Sequence, residues 1–149
     1  MPLRHILVLE DSDEDFDTVQ DAARHSGVLQ PIVRAASGAE CLRLLGLGGR
    51  AQPATSGLRS REALPLLVLI DLNTPGDSGR EVLLHVRRDD LLGTLPVVVL
   101  TASANPRDLQ FCYANGANAY HVKPVAHPQH LRVLQQIFGY WLGSALLPA

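Results

Sequence analysis

The sequence predicts an α/β fold: a doubly wound, parallel five-stranded sheet with helices on both faces. Three observations predict it. Short continuous apolar runs alternate with longer amphipathic stretches, five times over. Each run is rich in β-branched residues and bounded by polar ones, as in strands buried on both faces. The stretches between them carry helix-start and helix-stop residues at their ends.

The first run, His5-Ile6-Leu7-Val8-Leu9, stops at Glu10-Asp11. Ser12 to Asp15 open the first helix, where acids suit the N-terminal dipole, and Gly27 closes it. Ile32-Val33-Arg34-Ala35 is a weaker second strand. Ser37 with Glu40 fits a capping box for the second helix. Residues 46–65 hold four Gly and two Pro. They predict a flexible loop, longer than the ~2–6 residues usual between such elements. Leu66-Leu67-Val68-Leu69-Ile70 stops at Asp71, and Ser78 with Glu81 fits a second capping box. Val97-Val98-Val99-Leu100 stops at Thr101. Asn105-Pro106 sets a capping residue before a first-turn proline, and Gly116 ends that helix. Ala119-Tyr120-His121-Val122 stops at Lys123. Leu131, Leu134, Ile137/Phe138 and Trp141/Leu142 give the last helix an apolar stripe.

The 149 residues suit one domain, and 46% apolar with 19% charged residues describe an ordinary globular chain. A formal charge of −2 argues against nucleic-acid binding, which favours a basic face. No run approaches the ~20 apolar residues of a membrane span. The N-terminus turns acidic too soon for a signal peptide. Cys41 and Cys112 fit no metal spacing and read as reduced, partly buried thiols, so a cytoplasmic protein is expected. Of thirteen basic residues twelve are arginine; the only lysine is Lys123.

In a parallel α/β sheet, ligands bind at the carboxyl ends of the strands. The predicted strands end in Glu10-Asp11, Asp71, Thr101 and Lys123-Pro124. Three carboxylates, a hydroxyl and an ammonium should therefore share one edge. Crowded carboxylates repel, and a hard divalent cation with oxygen ligands relieves them. One carboxylate can then attack phosphorus to form an acyl phosphate. Cation and ammonium would neutralise the transferring group, and the hydroxyl could bond one of its oxygens.

Those residues, in that order and spacing, resemble the receiver domain of two-component response regulators. The carriers are Leu9-Glu10-Asp11, Asp71-Leu-Asn-Thr-Pro75 to Gly79, Thr101-Ala102 and Lys123-Pro124. The resemblance covers residues 4–142, leaving 143–149 as a short extension and no output domain. It implies a flavodoxin-like (βα)5 sheet ordered 2-1-3-4-5. Within the family the chain is most similar to regulators associated with bacterial and cyanobacterial phytochromes. Asp71-Leu72-Asn73, Gly79 to Leu83, the long loop and the ending Ile137 to Pro148 carry that narrower likeness.

The resemblance implies roles residue by residue. Asp71 would accept a phosphoryl group from a sensor histidine kinase, here a phytochrome. Glu10, Asp11, Asp71 and the backbone carbonyl of Asn73 would hold Mg2+, with Mn2+ or Ca2+ as substitutes. Lys123 would pair first with Asp71 and then with the phosphate. Thr101 and Tyr120 would move together as a switch, reshaping the face of the fourth helix, fifth strand and fifth helix. The Lys123-Pro124 bond would be cis. Such a protein is a switch that assists its own phosphorylation and dephosphorylation, not an enzyme turning over an external substrate.

The chain departs from the common pattern at Glu10, where aspartate is more usual, and at Thr74 and Ser78. Asn73 and Ser103 stand at positions that tune phosphoryl lifetime. Two other readings compete. A phosphohydrolase would need an acid two residues after Asp71, where Asn73 cannot serve. A degenerate receiver acting only as a binding module would have lost Asp71, Asp11 or Lys123. The acids Asp13, Glu14, Asp15, Asp17 and Asp21 read as a solvated helix start. His127 and His130 stand three apart with no third metal ligand in view. Output is expected through protein–protein contacts: a homodimer using Phe138, Tyr140, Trp141 and Leu142, and a downstream phosphotransfer protein, with no nucleic acid or membrane partner.

Overall fold

The computed structural model describes residues 3–47, 63–74, 76 and 78–148. Most of the 46–65 loop, Pro75 and Ala149 lie outside the described residues. Five parallel strands form one sheet: β1 (Ile6–Leu9), β2 (Ile32–Ala35), β3 (Leu67–Ile70), β4 (Val97–Thr101) and β5 (Ala119–Val122). Their order is β2-β1-β3-β4-β5. The helices are α1 (Asp13–His25), α2 (Gly38–Leu44), α3 (Ser78–Arg88), α4 (Pro106–Ala114) and α5 (His127–Phe138). A π-helical stretch, Gly139–Ser144, continues α5. Among the described residues no helix is long and apolar enough to cross a membrane.

The continuous apolar runs have a direct explanation. Successive strand residues point to opposite faces, and both faces are covered. Leu7, Leu9, Val68, Ile70, Val97 and Val99 join Cys41, Val82, Leu83, Val86 and Cys112 of α2, α3 and α4 in one core. Ile6, Val8, Leu67, Leu69, Val98 and Leu100 join Val19, Ala22 and Ala23 of α1 and Leu134, Ile137 and Phe138 of α5 in the other. The edge strands β2 and β5 are only partly buried, as their mixed sequences suggest.

The helix signals act largely as read. Ser12 Oγ accepts from Asp15 N (3.2 Å), Ser37 Oγ from Glu40 N (3.2 Å) and Asn105 Oδ1 from Arg107 N (2.9 Å). Gly27 and Gly116 take left-handed backbone (φ 69° and 94°) just past their helices. Ser78 differs: it is the first residue of α3, not the residue before it. Its hydroxyl contacts Thr74 Oγ1 (2.7 Å) and accepts from Gly38 N (3.2 Å), joining α3 to the start of α2.

Phe138 corrects the expected dimer surface. It is 1% exposed, because it faces the α1/α5 core as the next member of the stripe after Leu134. Tyr140 is exposed, while Trp141 and Leu142 are half-buried against the same core. The Tyr140 and Trp141 rings meet edge to face at 5.0 Å. Both cysteines are free and buried, and burial pushes the Cys41 thiol up to about 12 and the Cys112 thiol to about 11.

Candidate functional site

Parallel pairing puts all five strand ends on one edge. Ile6 is level with Ile32 and Leu67, so β1 and β3 finish together. Glu10 N then bonds Ala35 O (3.0 Å) and Asp71 N bonds Leu9 O (3.1 Å), fixing where both acids leave the sheet. Lys123 N donates to Thr101 O (2.6 Å), bringing the lysine alongside from β5.

The carboxylates of Glu10, Asp11 and Asp71 place oxygens within 4.8 Å of one another. Glu10 and Asp71 are buried and Asp11 is exposed. Trans oxygens around a Mg2+-sized ion lie about 4 Å apart, so this set is close to the spacing that one hard divalent cation needs. Asn73 N donates to Asp71 Oδ1 (2.9 Å), and Ser12 N to Glu10 Oε2 (3.2 Å). Asn73 is exposed at the rim.

Lys123 Nζ donates to Glu10 Oε1 (2.8 Å), Asp15 Oδ2 (2.8 Å) and Asp71 Oδ2 (3.0 Å). Burial alone would lower the lysine's pKa. Its hydrogen bonds to Asp15 and Glu10, with the charges of Asp71 and Glu10, outweigh burial and hold it above its ordinary value. Glu10 moves the other way: burial pushes its carboxyl up to about 7, against the pull of Lys123 and with the repulsion of Asp71.

That shift has a stability consequence. Glu10 is raised on folding, so its contribution is intact below its ordinary 4.5 and is lost as pH rises through about 7. In chelator-treated protein, Glu10→Gln, which keeps the acceptor but not the charge, should stabilise more at pH 8 than at pH 5. The difference should be on the order of 2 kcal/mol by denaturant unfolding. Equal effects at both pH values would contradict a buried, proton-hungry Glu10.

Thr101 is fully buried at the end of β4, its Oγ1 accepting from Ser103 N at 3.4 Å. Tyr120 is half-buried, and its hydroxyl donates to Ser103 O (2.7 Å). Ser103 Oγ donates to Asp108 Oδ2 (2.5 Å), and Asp108 also pairs with Arg80 of α3. The loop after Thr101 is therefore tied to β5, α4 and α3 together.

Two expectations need correction. Lys123-Pro124 is trans, since the described residues hold no cis peptide bond. Trans is favoured by about 0.5–1 kcal/mol before proline, and Lys123 Nζ reaches all three carboxylates from that geometry. Asp15 is not part of a merely solvated helix start. From the first turn of α1 its carboxylate accepts from Lys123 Nζ (2.8 Å), and nothing in the acidic run marks it out from its neighbours. His127 is exposed beside Thr18 (3.5 Å), and His130 is buried with Nε2 unpartnered among the described residues. Burial holds His130 below its ordinary pKa, while the nearby Asp15 carboxylate pulls upward.

Comparison with known proteins agrees with this fold. The model of the response regulator receiver domain matches residues 6–135. Response regulator Rcp1 of Synechocystis is 31% identical over 99% of this chain and 95% of its own. Among solved structures, the phosphorylated cyanobacterial phytochrome response regulator RcpA is 32% identical, with TM-score 0.84 over 98% and 99% of the two chains. The bacteriophytochrome response regulator AtBRR is 34% identical, with TM-score 0.68 and full coverage of both. A further solved structure is Rcp1 in its Mn2+-bound form, 31% identical with TM-score 0.85 over 99% and 100% of the chains.

Proposed function

The chain belongs to the response regulator receiver domain family, and from that premise we propose that Asp71 accepts a phosphoryl group from a sensor histidine kinase of the phytochrome class, with Mg2+ bound beside it. One observation carries this reading: a buried carboxylate held between the only lysine and a backbone N–H, with two further carboxylates within 4.8 Å. The kinase class is supported by the phytochrome regulators similar over nearly the whole chain.

An oxygen of Asp71 bonds to phosphorus as the phosphohistidine P–N bond breaks, and the released imidazole takes a proton. Mg2+, held by Glu10, Asp11, Asp71 and the carbonyl of Asn73, would supply charge neutralisation for the transferring group. Lys123 moves a proton-donor bond onto a phosphate oxygen, as a compact point charge suits. Among the described residues Thr101 Oγ1 holds only a long bond from Ser103 N, which leaves its hydroxyl proton for phosphate. Its movement would pull the Ser103 loop, and Tyr120 with it. Asn73 cannot act as the general acid of a phosphohydrolase. Retention of Asp71, Asp11 and Lys123 counts against a binding module without phosphorylation.

Output would pass through protein contacts: a homodimer built on Tyr140, Trp141 and Leu142, and a downstream phosphotransfer protein. The test is phosphotransfer from a panel of autophosphorylated histidine kinases, with light scattering of the product. Preferential transfer from a phytochrome kinase and a dimeric product are expected. Transfer from none of the panel, or only from kinases without a phytochrome module, would contradict the proposed partner. A monomer at tens of micromolar, with and without phosphoryl, would contradict the dimer.

A further inference from the structure

An ammonium has three protons, and in this site all three are used. Two go to Glu10 and Asp71, which belong to the carboxylate cluster fit for a cation. The third goes to Asp15, which lies outside that cluster. Asp15 is fixed at the start of α1 by its own backbone bond to Ser12 Oγ. Its side chain is also the most exposed of the three acceptors, 31% against 5% for Glu10 and 8% for Asp71. The partner it holds lies 108 residues away, just past the end of β5. An acid serving only the helix dipole would need no such contact. Among the described residues no other cation bonds Asp15: Arg34 is engaged by Asp13 (2.7 Å) and by Glu10 O (2.9 Å). The neighbouring His130 is buried and held toward its neutral form.

A phosphoryl group on Asp71 takes over the proton that Lys123 gave that carboxylate, and its further anionic oxygens face an ammonium whose other two protons are held by Glu10 and Asp15. A second bond to the phosphoryl group requires one of those two to open. Asp15 is the acceptor that water can resolvate most readily, being the most exposed. We propose that Asp15 is a positioning residue that holds Lys123 in the resting state and competes with the phosphoryl group for its third proton. This rests on Asp71 being the phosphoacceptor.

The test uses beryllofluoride, a phosphoryl mimic, at saturating Mg2+. Asp15→Asn, isosteric but a weaker neutral acceptor, should lower the half-saturating concentration by at least about threefold. Asp15→Glu, which keeps the charge, should stay nearer wild type. Because the chain has one lysine, 15N-lysine labelling gives a single side-chain ammonium signal. That signal should shift in Asp15→Asn before any ligand is added. An unshifted signal, or wild-type half-saturation in Asp15→Asn, overturns the proposal while leaving the phosphoacceptor reading intact. Weaker binding in Asp15→Asn also overturns it, because support rather than competition would then be the role. Failure of wild-type protein to bind beryllofluoride overturns both readings.

Discussion

Lys123→Arg is expected to slow phosphoryl uptake from acetyl phosphate at least about tenfold, although it conserves charge. Lys123 is 9% exposed and ends among three carboxylates at 2.8, 2.8 and 3.0 Å. Its three donors point in three directions from one nitrogen. A guanidinium is planar, carries its donors in a fixed fork, and needs more width. It could satisfy one carboxylate with two parallel bonds, but only by abandoning another. Either the Glu10–Asp71 pair loses its cation or Asp71 turns from the position where phosphorus must approach. Every other basic residue of this chain, twelve in all, is arginine. Rates measured by intact mass against time would check this. Wild-type uptake by Lys123→Arg would mean that the lone lysine reflects composition rather than chemistry.

Gly79→Ala is expected to destabilise the fold by about 2–4 kcal/mol and to impair the site along with it. Gly79 is buried in the first turn of α3. A Cβ there would stand 2.7 Å from the backbone oxygen of Asp71, 3.0 Å from Leu72 Cα and 3.3 Å from Ile70 Cγ2. The nearest of these atoms are main chain, so no side-chain rotation relieves the clash. Either α3 lifts from the sheet, opening the core around Val82 and Leu83, or the Asp71 peptide shifts. A shift would disturb the Asn73 N–H bond that fixes Asp71 Oδ1. Urea unfolding should show the loss, and magnesium-dependent beryllofluoride binding should weaken in the same variant. Wild-type stability in Gly79→Ala would contradict the close approach of α3 to the end of β3.

The sheet was legible because burial on both faces leaves a plain record: Leu67 to Ile70 has no polar residue to spare, since two cores claim its alternate side chains. The site edge was legible for the same reason. Parallel strands share one carboxyl end, so the residues following each apolar run had to meet. What could not be read was which members of the acidic run turn inward. Asp13 and Asp15 differ little as letters, yet one faces Arg34 at the rim and the other Lys123. Only the rotation of α1 against the sheet decides that. Phe138 and Tyr140 posed the same problem at the other end of the chain, where two residues of rotation separate core from surface. The Lys123-Pro124 isomer is a balance of about 1 kcal/mol, below what neighbouring residue types can specify.

The account turns on one atom group, the carboxylate of Asp71. Intact-mass measurement after incubation with acetyl phosphate and Mg2+ tests it most directly. One added phosphoryl group is expected on the wild-type chain, not formed when Mg2+ is withheld and absent in Asp71→Asn. An unchanged wild-type mass, or the same addition in Asp71→Asn, would contradict it.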